Sequence, residues 1–132
     1  MARRSSEHPT QSELQILKIL WDDSPLSARD VRDRLNQQSA RDLAYSSVIT
    51  VLNIMVRKGY LKRRKDGKAF LFTPCVDRQS VAGGMTGDLL SRLFDGSASA
   101  MVLNLIETAD LDAGELAELR RLITRKSREQ QS

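Results

Sequence analysis

The chain has 132 residues, enough for one small domain with an appended element, and its 40% hydrophobic and 29% charged content excludes a fibrous or wholly disordered protein. Its net charge of +4 is uneven: residues 1–76 carry +6 and residues 77–132 carry −2, so the first part is suited to a polyanion and the second to a different task. A single cysteine, Cys75, and a single histidine, His8, exclude an internal disulfide and a soft-metal site of three or four ligands, and no cofactor is expected.

Met1 to Arg4 is basic but leads into Ser5 to Thr10 rather than an apolar segment, so no signal peptide is expected. No apolar run reaches membrane-spanning length, and the expectation is a cytoplasmic protein without membrane insertion. Residues 1–8 read as a disordered basic arm. Order is predicted to begin at Thr10-Gln11-Ser12-Glu13, a Thr-x-x-Glu capping box ahead of a first helix with Leu14, Leu17, Leu20 and Trp21 in its stripe. Asp22-Asp23-Ser24-Pro25 ends it. Ser27 caps a second helix with Asp30 at its third position; Val31 and Leu35 face inward, while Arg29, Arg32, Asp33 and Arg34 stay wet. Ser39 to Leu43 is a connector containing Arg41.

The next stretch, Ala44 to Gly59, organises the rest. At 3.6 residues per turn it places Val48, Val51, Leu52, Met55 and Val56 on one side and Ser46, Ser47, Thr50, Asn53 and Arg57 on the other. Short hydroxyl and amide groups both donate and accept, and they are small enough to approach a base edge. An ordinary solvated face prefers Glu, Lys, Gln and Ala, which are stronger helix formers. Ile54 lies toward the polar side, where it either covers packing near the next element or touches a thymine methyl.

The period then changes to two. Tyr60 to Lys65 and Lys68 to Thr73 flank Asp66-Gly67, which predicts a hairpin with a type I′ turn. That register sets Leu61 opposite Phe72, Arg63 opposite Phe70 and Lys65 opposite Lys68. Like charges facing across a tight hairpin repel unless an anion sits at the tip. Three helices followed by a basic ribbon is the order of a winged helix-turn-helix domain, in which the third helix enters the major groove and the ribbon straddles phosphates. Ser46, Ser47, Thr50, Asn53 and Ile54 are the expected base readers. Arg41, Arg57, Arg63, Arg64, Lys65 and Lys68 are the expected phosphate contacts.

After Pro74 three helical segments are predicted. Asp77 to Phe94 ends in Leu89, Leu90, Leu93 and Phe94, and Gly83, Gly84 and Gly87 weaken its first half. Ala98 to Thr108 carries Met101, Val102, Leu105 and Ile106 on one side. Asp110 to Lys126 carries Leu116, Leu119, Leu122 and Ile123. These stripes are too short to bury themselves, and a second copy of the chain would cover them. The fold class is therefore mainly α with a small β-hairpin: a disordered arm at 1–8, a winged helix at 9–76, a helical dimerisation region at 77–126 and a polar tail at 127–132.

These parts together resemble the penicillinase-repressor family of bacterial winged-helix regulators, which includes repressors of beta-lactamase and methicillin-resistance genes and copper-responsive repressors. The likeness runs from Thr10 to Arg125 and rests on ELQILKILW at 13–21, RDLAYSSVITVLNIMVRKGYLKRRKDGKAFLFTP at 41–74 and LLSRLFDGSASAMVLNLIETADLDAGELAELRRLI at 89–123. The resemblance implies a homodimer that represses transcription by binding an inverted-repeat operator in double-stranded DNA, dimerising through its C-terminal helices. In members controlled by beta-lactams, a membrane sensor metalloprotease signals cleavage within a Val-Leu-Asn-Phe-type segment. Val102-Leu103-Asn104-Leu105 corresponds to it, so the candidate scissile bond joins Asn104 to Leu105, with leucine in place of the aromatic. The Cys-x-Cys pairs of the copper-responsive branch have no counterpart in Arg125 to Ser132.

The residues bear on two other functions. A winged helix whose basic wing meets an acidic protein partner needs no Ser/Thr/Asn face. An enzyme would need a catalytic constellation, and one His, one Cys, scattered carboxylates and no Gly-rich phosphate loop do not supply it.

Overall fold

The computed structural model describes residues 8–39 and 41–131; all of the expected arm at 1–8 except His8 lies outside the described residues. The elements in chain order are α1 (Gln11–Asp22), β1 (Leu26–Ser27), α2 (Ala28–Gln38), α3 (Tyr45–Lys58), β2 (Leu61–Asp66), β3 (Ala69–Pro74), α4 (Arg78–Leu93), α5 (Ala98–Thr108) and α6 (Ala113–Gln131). They divide into two compact units, one reaching to Asp88 and one from Leu89 onward.

In the first unit α1 opens on the capping box. Thr10 Oγ1 accepts from the Glu13 amide at 3.2 Å, and Glu13 Oε1 accepts from the Thr10 amide at 2.8 Å. Glu13 is itself buried, and its second oxygen accepts from Lys58 Nζ at 2.9 Å, so the start of α1 is tied to the end of α3. Ser27 caps α2 by accepting from the Asp30 amide. Gly59 ends α3 at φ +86°, with the Tyr60 amide donating to Met55 O at 2.9 Å.

The core joins Ile16, Leu17 and Leu20 of α1, Val31 of α2, Leu52 and Met55 of α3, and Leu61 and Phe72 of the sheet, all shielded from water. Each such side chain contributes roughly 1.5–3 kcal/mol through burial. Trp21 is half-buried at the rim, where its indole N–H donates to Val76 O at 2.8 Å and the Arg78 guanidinium lies 5.0 Å from its ring centroid. The chain leaving the wing is thereby held against α1.

The sheet departs from the expected two-stranded ribbon. It has three strands in the order β1-β3-β2, because Leu26 and Ser27 pair antiparallel with Phe72 and Leu71. The hairpin register also differs by two residues: Arg63 faces Phe72, Lys65 faces Phe70 and Asp66 faces Ala69. Its turn is Gly67-Lys68, and of these only Gly67 has a positive φ, +65°. That is the type II′ pattern, which asks for the left-handed region at one residue and places glycine there. A type I′ turn at Asp66-Gly67 would have demanded it of Asp66 as well. The expected Lys65–Lys68 apposition is therefore absent.

In the second unit none of the described residues is buried within the chain. Asp95 and Gly96, both at positive φ, turn the chain after α4, and Ser97 caps α5 by accepting from the Ala100 amide at 3.1 Å. Helix α6 continues to Gln131, five residues past the expected Lys126, because Arg, Lys, Glu and Gln are good helix formers. Helix α4 is continuous through Gly83, Gly84 and Gly87. No single helix among the described residues is long and apolar enough to cross a membrane.

Candidate nucleic-acid interface

Helix α3 buries Val48, Leu52 and Met55 and thereby turns its opposite side outward. Ser46, Thr50 and Arg57 are exposed and Asn53 is half-exposed, and at 100° per residue these four form one row. Ser47 falls on a flank of that row, lining a small cleft with Arg41 and Leu43. Ile54 is half-buried on the same flank but outside the core cluster, unlike Ile49, Val51 and Val56, which pack against it.

Local hydrogen bonds set what the row can offer. Thr50 Oγ1 donates to Ser46 O at 2.9 Å, so the hydroxyl proton is spent and its oxygen is left to accept. Asn53 Oδ1 accepts from Arg63 Nη1 at 2.8 Å, which leaves the amide hydrogens to donate. The connector before α3 is clamped by Asn36, whose Oδ1 accepts from the Leu43 amide at 2.8 Å while its Nδ2 donates to Leu43 O at 3.4 Å. Sequence reasoning passed over Asn36, and its only signal was an amide near the end of a helix before a polar connector.

The cations sort into two groups. Arg32, Arg34 and Lys58 are matched to Asp33, Asp23 and Glu13 at 3.2, 2.6 and 2.9 Å. Among the described residues, Arg41 beside α3, Arg57 on it, and Arg64, Lys65 and Lys68 on the wing make no ion pair, and all five are exposed. Arg63 differs from these. Its guanidinium lies 4.5 Å from the Phe70 ring centroid while donating to Asn53, so it braces the wing against α3. Such a surface presents hydrogen-bonding groups of base-edge size between unneutralised cations.

The penicillinase repressor family profile matches residues 9–125. The chain belongs to the penicillinase repressor family. It is 27% identical over 114 residues to the penicillinase repressor of Bacillus licheniformis, covering 86% of this chain and 88% of that one. It is 30% identical over 114 residues to the transcriptional regulator BlaI of Mycobacterium tuberculosis (strain CDC 1551 / Oshkosh), covering 81% of each. A solved structure of the DNA-binding domain of the repressor BlaI is 26% identical, with a TM-score of 0.48, and covers 56% of this chain and 90% of that one. Members of the penicillinase repressor family are transcriptional regulators and not enzymes. The helix order with its three-stranded wing is the winged-helix architecture expected above.

The twelve side chains expected to dimerise lie on α4, α5, α6 and the α4–α5 turn. Leu89, Leu93, Val102, Leu105, Ile106, Leu116, Leu122 and Ile123 are exposed, whereas Leu90, Phe94, Met101 and Leu119 are half-buried. Asn104 and Leu105 are both exposed in the middle of α5.

Proposed function

We propose that this chain is a cytoplasmic homodimeric repressor that binds an inverted-repeat operator in double-stranded DNA. The observation that carries the reading is the outward Ser46–Thr50–Asn53–Arg57 row beside the wing cations Arg64, Lys65 and Lys68, which make no ion pair among the described residues. Thr50, Asn53, Ser46 and, from the flank, Ser47 and Ile54 read base edges. Arg41, Arg57, Arg64, Lys65 and Lys68 hold phosphates, and Arg63 contributes charge while orienting Asn53. The relatives' names, a repressor and a transcriptional regulator, support the same reading.

The dimer is supported by the second unit, where Leu93 is 65% and Ile123 61% exposed and none of the described stripe residues is fully buried. Leu105 belongs to that interface. Induction by cleavage between Asn104 and Leu105, signalled by a membrane sensor metalloprotease, requires α5 to open, since a helical peptide bond does not fit an extended protease cleft. Mass analysis of the chain from beta-lactam-treated cells tests it, and an intact chain under full induction would exclude that route.

The test of the reading residues begins with fragments of the source genome that the pure protein retains. Thr50→Ala relaxes preference at one position of each half-site, costing about 1–3 kcal/mol there, whereas Arg64→Ala weakens all duplexes alike. Equal losses on selected and random DNA for both variants would remove α3 from base reading.

A further inference from the structure

Beside the reading row lies a groove of about 290 Å³ whose walls come from three elements. The start of α2 supplies Ser27 and Arg29, α3 supplies Tyr45 and Ile49, and the wing supplies Lys68 and Phe70. No acidic residue lines it. Among the described residues Arg29 and Lys68 make no ion pair and the Tyr45 hydroxyl makes no hydrogen bond. Tyr45 is 46% and Phe70 37% exposed, an unusual outlay of aromatic surface next to two cations. The hairpin register matters here, because the turn at Gly67-Lys68 places Lys68 at the groove instead of across from Lys65.

The groove is small for a ligand pocket, which runs about 300–1,000 Å³, and two of its lining residues, Tyr45 and Ile49, flank the reading row at 100° per residue. Two cations without a counter-charge among the described residues call for an anion, and two aromatic rings with Ile49 call for a neighbour that offers C–H groups. A phosphodiester with its deoxyribose has both parts.

We propose that this groove seats one phosphate and the attached deoxyribose of the duplex whose bases α3 reads. Arg29 and Lys68 neutralise the phosphate from the α2 and wing sides, Tyr45 donates its hydroxyl to a non-bridging oxygen, and Ile49 and Phe70 pack on the sugar. The contact carries no sequence information; it fixes the angle at which α3 enters. This inference rests on the DNA-binding reading above.

The experiment uses the full chain, a duplex recovered by selection with the wild-type protein, and a random duplex of equal length. Tyr45→Phe lowers affinity for both duplexes by the same factor, about tenfold. The double variant Arg29→Gln/Lys68→Gln reduces the slope of log affinity against log salt by about 0.9 per chain, and Arg29→Lys restores most of it. Thermal unfolding of the variants stays at the wild-type midpoint, since among the described residues these side chains make no hydrogen bond or ion pair. Unchanged affinity and slope in all variants, with steep salt dependence in the wild type, would overturn the groove and leave the DNA reading standing. A wild type that binds neither duplex would overturn the DNA reading instead. A change of preferred sequence in Tyr45→Phe would make the groove a base reader, contrary to the proposal. Competition by millimolar inorganic phosphate at constant ionic strength, lost in the double variant, would make it a small-anion site and equally overturn it.

Discussion

Arg63 of the wing donates to Asn53 of α3 at 2.8 Å while its guanidinium lies 4.5 Å from the Phe70 ring centroid. The two parts of the interface are therefore coupled: a residue of the phosphate-gripping ribbon decides which end of an amide on the reading helix is available. Removing Arg63 frees Asn53 to rotate, which restores the carbonyl as an acceptor.

Arg63→Ala is expected to change specificity as well as strength. Affinity for the selected duplex falls about tenfold, and preference at the base pair facing Asn53 shifts or broadens, as read by selection repeated with the variant. Arg63→Lys keeps the charge but loses the planar stacked fork, so it recovers salt dependence without recovering the original preference. Identical sequence preferences for wild type and Arg63→Ala would show that Asn53 reads nothing.

The glycines of α4 supply a second prediction. Gly83 and Gly87 meet nothing within 4 Å of an added Cβ, and at Gly84 the nearest atom is His8 Cε1 at 3.7 Å, an ordinary contact. None of the three has a positive φ. Packing does not require them, so each Gly→Ala substitution is expected to stabilise by about 0.8–1 kcal/mol through helix propensity, raising the thermal midpoint. If the glycines serve as a joint between DNA heads, the triple variant also tolerates a narrower range of half-site spacings. Destabilisation by any single alanine would contradict the propensity argument.

Much of this was legible in local residue patterns. Thr10 and Glu13 form the capping box because both partners lie within one turn, and Gly59 stops α3 because only the local backbone decides it. Strand β1 was not legible: Leu26 and Ser27 are a strand solely through their pairing with Phe72 and Leu71, far along the chain. The hairpin register was legible in facing but not in offset. A shift of two leaves Leu61, Arg63, Phe70 and Phe72 on the same side, so hydrophobic alternation could not discriminate, and the turn's backbone demand at Asp66 decided. At the interface, the polar row followed from periodicity, whereas Arg29 read as an ordinary wet cation and Tyr45 carried no signal of its own. Their groove exists only where α2, α3 and the wing converge.

The second unit tests assembly. Leu93→Glu and Ile123→Glu each place a charge at a stripe position that is more than half exposed in the single chain. Sedimentation of the wild type is expected to give twice the 14.8 kDa chain mass at micromolar concentration, and the variants the single-chain mass. Loss of the second head should lower affinity for an inverted repeat by about 10²-fold or more, with affinity for a single half-site little changed. A wild-type monomer would contradict the dimer.

The proposed meeting of α3 and the wing with the phosphates and bases of duplex DNA is tested most directly by salt dependence on a selected duplex. With about 10 phosphates neutralised by a dimer, about five per chain, log affinity should fall against log salt with a slope of about −9. A slope near zero, or no duplex binding at moderate salt, would contradict it and leave an acidic protein as the partner for the wing.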